Sequence, residues 1–281
     1  MIKIITDSTN DLEKELLEQL DIEVIPLFVN FGEESYLDGV EINTDQLYAK
    51  IDEKNELPKT AAATIFTFEE RFKYWVEKGY DVIYTGISKQ MSRTFENAYI
   101  ASQEFEGKAF VVDSMNLSTG IGLLLLKACK YRDQGLSAKE IVANLERDRH
   151  LVLSQFAIEK MDHLHKGGRC SSVAALLGTV LSIKPIIAVR EGKMHVQKKP
   201  IGPMRKALDT MLKQIIADKD RLDLDHILLT HSKADKSNEY LLAKLKEEFP
   251  NVNIVNTNAG CVISTHCGVG TIGILYMVKP E

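Results

Sequence analysis

The chain has 281 residues, 44% of them hydrophobic and 27% charged, with a net charge of −5. That is ordinary for one large folded domain or two medium ones, and a generally basic nucleic-acid footprint is absent. The longest apolar run, Ile121 to Leu126, is far short of the roughly 20 residues a membrane-spanning helix needs.

Ile2 to Ile5 reads as a strand that ends at Thr6-Asp7-Ser8-Thr9. Leu12, Leu16, Leu17 and Leu20 then recur at helical spacing, behind residues suited to a helix cap. Ile22 to Val29 is the next strand. Asp45 to Ile51 and Phe66 to Lys78 are helices, and 81–87 is a strand. A helix from Thr94 to Phe105, a strand from Ala109 to Val112 and helices at 119–132 and 137–149 complete this part. Strands alternating with helices imply a mostly parallel sheet covered on both faces.

Leu151 to Ile158 is again strand-like, and His165-Lys166-Gly167-Gly168-Arg169 reads as a turn. A small-residue helix is expected over Ser171 to Leu181. Ile186 to Val189 and Met194 to Lys198 flank Glu191-Gly192-Lys193 as a hairpin. A helix at 203–217, strand 226–230, helix 235–248, strand 252–256 and a final strand from Ile272 to Val278 close the pattern. The expected division is an N-terminal α/β domain at 1–150 and a C-terminal α/β domain with a mixed sheet at 151–281.

The charge is uneven. From His165 to Lys206 there are nine Lys or Arg and one acid, Glu191, so the rest of the chain carries −13. A stretch at +8 is either a solvated basic face or a docking surface for an acidic partner. The four cysteines form no CxxC or finger pattern and read as free thiols. With an acid already at Asp7, the start is unlike a signal peptide, and a cytoplasmic location is expected. Asp162, His163 and His165 lack metal-ligand spacing.

Open parallel sheets bind ligands at the carboxyl ends of their strands. Asp7-Ser8-Thr9, the segment Ser88 to Thr94 and Asp113-Ser114 all follow strands, so these polar clusters fall along one edge. Ser92 and Thr94 suit a helix cap and, equally, an anion held at a helix N-terminus. Thr60 follows Pro58-Lys59. His266 precedes Gly268 and Gly270, and glycines there suit a close backbone approach. Hydroxyls and an imidazole suit one small anionic head group. Ser92 with His266 as base, oriented by Asp7 or Asp113, also suits nucleophilic chemistry, although no G-x-S-x-G elbow is present.

In order, Thr6-Asp7-Ser8-Thr9, Pro26-Leu27, Asp38-Gly39, Pro58-Lys59-Thr60, Ser92-Arg93-Thr94-Phe95, Val112-Asp113-Ser114, Gly167-Gly168-Arg169, Ile183-Lys184-Pro185-Ile186 and the His266 segment run the length of the chain. This series resembles the DegV family, fatty-acid-binding proteins that act as binding subunits of bacterial fatty acid kinase. The resemblance implies a two-domain α/β protein that is not itself catalytic. It would hold one long-chain fatty acid, such as palmitate, between its domains, with no other cofactor and no metal. Thr60 and Ser92 match the residues that hold the carboxylate, and His266 matches a His near the head group. Arg93, Thr94 and Gly268 belong to the same loops. Arg169 matches a residue of the partner-facing side, toward a DhaK/DhaL-like fatty acid kinase catalytic subunit that phosphorylates the bound carboxylate. Three segments depart from the family pattern. Ala61-Ala62-Ala63-Thr64 stands for S-Q-P-S, Arg93 for the Gly of S-G-T, and Val269 for the Pro of H-x-G-P-G. Two other readings stay open at this point: a serine-based acyl-transfer or hydrolytic enzyme, and a sensor whose lipid occupancy alters a protein contact.

Overall fold

The computed structural model describes residues 1–176 and 182–280. The chain opens with β1 (Ile2–Asp7), a 3-10 turn at Ser8–Asn10 and α1 (Lys14–Gln19). Next come β2 (Ile22–Ile25), β3 (Phe28–Phe31), β4 (Glu34–Leu37), α2 (Thr44–Lys54), β5 (Lys59–Ala61) and α3 (Ile65–Glu77). They are followed by β6 (Asp81–Gly86), α4 (Thr94–Ser102), β7 (Ala109–Asp113), α5 (Thr119–Asp133) and α6 (Ala138–Asp148). Then β8 (Val152–Ala157), α7 (Asp162–Gly167), α8 (Ser171–Ala174), β9 (Ile186–Arg190), β10 (Lys193–Lys198) and α9 (Met204–Ala217) form. The remaining elements are β11 (Leu222–Ser232), α10 (Asp235–Glu248), β12 (Asn253–Asn258), α11 (Cys261–Cys267) and β13 (Thr271–Val278).

The architecture is α/β. A parallel sheet has the order β2-β1-β6-β7, and a six-stranded sheet has the order β10-β9-β8-β13-β11-β12. The second is mixed: β11 and β12 are parallel, and the other neighbours run antiparallel. A small antiparallel sheet, β4-β3-β5, is the third. Strands from residues 2–113 build the first and third sheets, and strands from 152 onward build the six-stranded one.

Helix α5 lies between the two large sheets and touches β1 and β6 on one and β8, β11 and β13 on the other. Its sequence explains this. Over its first half, Ile121, Leu123, Leu124 and Leu125 leave it no polar stripe; these and Ala128 are buried, while Lys130 and Asp133 face outward only near its end. A helix that is apolar all round must be covered all round. One apolar cluster therefore runs from Ile4 and Ile83 through α5 to Phe156, Leu228 and Leu275.

Four expectations need correction. The strand expected over 22–29 breaks at Pro26, which has no N–H to give a sheet. β2 stays in the parallel sheet while β3 joins the small one. The 165–169 segment is mostly helix: α7 runs to Gly167, and only Gly168, with φ 68°, makes the left-handed turn. His163 and His165 thus lie on a helix. The helix expected over 171–181 extends over Ser171–Ala174, and 177–181 lie outside the described residues. His266 sits in the last turn of α11 and not in a glycine-rich loop.

Among the described residues, no helix is long and apolar enough to cross a membrane. No group of three His, Cys, Asp or Glu among them is placed to hold a metal ion.

Candidate functional site

A cavity of about 250 Å³ opens where the three sheets meet α11. Side-chain alternation sets its floor. On β13, Ile272, Ile274 and Tyr276 pack into the core under α9 and α10. Thr271, Gly273 and Leu275 therefore face the other way and line the cavity. Phe156 of β8 and Thr230 and Ser232 of β11 complete the floor. The walls are largely apolar: Leu27, Ile87, Met91, Leu117, Met194 and Val262 among them.

Polar side chains gather at one end. Thr60, Ser92, Arg93, Arg169 and His266 line the cavity, and each also lines one of the two surface grooves that adjoin it. They therefore form the mouth. Arg169 borders the cavity and both grooves. Arg93 and Arg169 are exposed. Among the described residues neither pairs with a carboxylate, and Arg169 Nη1 donates to Gly167 O at 2.7 Å.

Each mouth residue is placed by its own element. Thr60 is fixed by pairing with Val29 across β3 and β5. Ser92 sits on the loop after β6, which two buried carboxylates hold. Asp7 Oδ2 accepts from Ile87 N at 2.9 Å and from the Tyr84 hydroxyl at 2.7 Å. Asp113 Oδ1 accepts from Lys89 N at 3.3 Å and Met115 N at 3.0 Å. The Ser92 hydroxyl accepts from Thr94 N at 3.2 Å and lies 2.8 Å from Thr94 Oγ1.

His266 Nε2 is 2.8 Å from Thr60 Oγ1. Burial, with Arg169 and His163 nearby, pushes the imidazole down to a pKa of about 4, so it is neutral at physiological pH. Its Nδ1 is buried without a partner. An orphaned buried N–H costs more than a bare lone pair. The single ring proton therefore belongs on Nε2, where it donates to Thr60. Gly167 packs over the other nitrogen: a Cβ there would lie 2.4 Å from His266 Nδ1.

Helix α11, which carries His266, is held at its start by two carboxylates from far earlier in the chain. Asp38 Oδ1 accepts from Cys261 N at 2.9 Å, and Oδ2 accepts from Val262 N at 3.2 Å and from the Ser8 hydroxyl at 2.9 Å. Asp11 Oδ1 accepts from Gly260 N at 2.9 Å, and Oδ2 from the Ser118 hydroxyl. Burial raises the pKa of both, Asp11 to about 8 against the pull of its two hydrogen bonds.

The structure thus brings Thr60, Ser92, Arg93, Arg169 and His266 together around one opening. Thr94 is fully buried behind Ser92 and does not line the cavity. Gly268, with φ 79°, ends α11 and lies against His163, where a Cβ would meet Cδ2 at 2.8 Å; it too stands back from the cavity. Ser92 and His266 share no hydrogen bond, since the ring's bond goes to Thr60. Asp7 and Asp113 bond the 87–93 loop and its neighbours rather than His266. Asp11, which sequence reasoning passed over, and Asp38, which entered only as a landmark beside Gly39, are the additional supporting groups. A buried carboxylate leaves no periodic signal, and only the Asp-rich Thr6–Asp11 segment hinted at one.

The family model matching residues 1–279 is described as "Uncharacterised protein, DegV family". A DegV domain-containing protein of Clostridium perfringens is 37% identical over 279 residues, covering 98% of each chain. A Thermus thermophilus DegV family protein, described by its fatty acid binding, superimposes with a TM-score of 0.91 at 28% identity over 99% of each chain. DegV of Bacillus subtilis, described as a fatty acid binding protein, gives 0.86 at 30% identity over 99% of each chain. On the whole-length family match and the whole-length relative, this chain belongs to the DegV family.

Proposed function

We propose that this protein binds one long-chain fatty acid, such as palmitate, with its tail in the cavity and its carboxylate at the mouth. The observation that carries this is the state of the two mouth hydroxyls. With the ring proton on Nε2, Thr60 accepts from His266; Ser92 accepts from Thr94 N, and the buried Thr94 hydroxyl, whose partner among the described residues is Ser92 Oγ, is assigned as the donor between the two hydroxyls. Each keeps its own O–H free to donate, which suits a head group that only accepts. A carboxylate is such a group. His266 then acts behind Thr60, aligning its hydroxyl, rather than touching the ligand first.

The energetics favour a lipid. A sixteen-carbon tail buries about 14 methylenes at about 0.8 kcal/mol each, roughly 11 kcal/mol gross. Immobilising the ligand costs several kcal/mol or more, which leaves room for about micromolar binding or tighter. An unpaired carboxylate would offset much of this, so the two hydroxyls and the nearby Arg169 matter for orientation.

The bound carboxylate faces the opening, beside exposed Arg93 and Arg169. On this reading the protein is a non-catalytic carrier in the cytoplasm, where its four buried cysteines stay as free thiols. It presents the carboxylate to a fatty acid kinase catalytic subunit for acyl-phosphate formation. Residues 1–150 and 151–281 act as the two domains that enclose the ligand.

Mass spectrometry of small molecules extracted from the undenatured protein tests the first step. Stoichiometric fatty acid is expected, and Ser92→Ala should weaken binding by about 10- to 100-fold, the worth of one hydrogen bond to a charged group. A protein that stays empty after incubation with fatty acids refutes the reading. Unchanged affinity in Ser92→Ala removes Ser92 from the head-group site.

A further inference from the structure

We propose that Gly273 decides which acyl chains the cavity accepts, because the tail crosses the bare backbone of β13 at this residue. This rests on the fatty-acid reading above and names the residue that sets its selectivity. β13 is a central strand, paired with β8 on one side and β11 on the other. Glycine there weakens the strand and offers nothing to pack, and it marks places where a ligand approaches the backbone closely. The backbone does not demand it, since Gly273 is absent from the residues with positive φ.

Space explains it. Gly273 faces the cavity, between Thr271 and Leu275 on the same side of the strand. A Cβ built there would lie 3.1 Å from Gln155 O, 3.1 Å from Phe156 Cβ and 3.2 Å from Leu275 Cδ1. A methyl group is tight here: Gln155 O is fixed in the paired strand β8, so the Phe156 and Leu275 side chains must give by a few tenths of an ångström, and the methyl occupies space on the cavity side of the strand. The residue also lies at a definite depth. The Thr271 hydroxyl donates to Cys267 O at 2.8 Å, beside His266, so β13 enters the cavity at the head-group end. At about 3.4 Å per residue, Gly273 is about 7 Å further in and Leu275 about 14 Å. A tail shorter than about 7 Å ends before the glycine, and a long one must pass it.

The test is a ratio of affinities. Binding of hexanoate, laurate, palmitate and stearate is measured by calorimetry for the wild type and Gly273→Ala, with thermal unfolding as a fold control. The variant should lose about tenfold or more for palmitate and stearate, as overpacking by one methyl does, with hexanoate little changed. Adding Leu275→Val removes the Cδ1 that crowds the new methyl and should restore much of the loss. Leu275→Val alone widens the same spot and should shift preference toward the longer chains, which keeps the test available if the alanine chain fails to fold. An equal loss for every chain, or a lower melting temperature with an unchanged ratio, assigns the glycine to the packing of Phe156 and overturns the proposal. A wild type that binds none of the four acids refutes the fatty-acid reading itself, an outcome distinct from wild-type binding with no change in the variants.

Discussion

Replacing His266 by Gln removes a buried imidazole but keeps an N–H that can reach Thr60. In the unfolded chain a His takes up its proton near pH 6.5; in the fold His266 waits until about 4. Between those values the unfolded state binds more protons. Stability attributable to this group therefore falls as the pH drops from 6.5 toward 4, and it is unaffected above 6.5. The gap, at about 1.4 kcal/mol per pH unit, corresponds to about 3 kcal/mol, of which about 2.5 is expressed at pH 4.5. Urea unfolding of ligand-free protein at pH 7 and pH 4.5 measures it. The wild type should lose about 2.5 kcal/mol more than His266→Gln over that span. Equal losses would refute the neutral, desolvated imidazole and, with it, the assignment of its proton to the bond with Thr60.

Asp11 works in the opposite sense. Its carboxyl keeps a proton up to about pH 8 in the fold, against 3.8 ordinarily, so its ionisation in the unfolded chain lowers stability as the pH rises between those values. Asp11→Asn keeps partners for Gly260 N and the Ser118 hydroxyl. It should raise the melting temperature relative to the wild type more at pH 9 than at pH 5; a constant difference would mean that Asp11 is ionised in the fold. Gly167→Ala places a Cβ 2.4 Å from His266 Nδ1 and should weaken fatty-acid binding by about tenfold through displacement of the ring, whereas unchanged affinity would show that the turn moves instead. Arg169→Gln should weaken binding of a fatty acid a few-fold at low salt and less at high salt, as an exposed charge does. The corresponding fatty alcohol should bind equally to both proteins, and parallel losses for acid and alcohol would deny Arg169 a role in reading charge.

What the sequence disclosed follows the physics of local signals. β1, β6 and β7 announce themselves as apolar runs ending in polar turns, and α4 begins at Thr94 as expected, although neither Ser92 nor Thr94 is its cap: the N-cap is Arg93, which makes no side-chain cap bond, and Ser92 instead accepts from Thr94 N. The meeting of Thr60, Ser92 and His266 came from motif order rather than periodicity, and the fold brings Thr60 and His266 into hydrogen-bond contact. The small sheet stayed hidden because β4 and β5 are too short, at four and three residues, for alternation to register. α11 stayed hidden because Cys, Val, Ile, Ser, Thr and His are middling helix formers between two glycines. Its helical form depends on partners elsewhere, Asp11 and Asp38, and on packing against the small sheet through Cys261 and Val262. Pro26 was visible, but its consequence, a strand shared between two sheets, is a tertiary outcome.

The clasp on α11 also imposes an order of assembly. Asp11 and Gly260 are separated by 249 positions, and Asp38 and Cys261 by 223. β13, inserted between β8 and β11, is synthesised after every strand it joins. On the ribosome, the parallel sheet and most of the six-stranded sheet emerge while the cavity still lacks its floor strand and its imidazole. Contacts so distant in sequence close late and slowly. A nascent or truncated chain therefore lacks the floor of the cavity, and the cavity is the last thing the molecule completes.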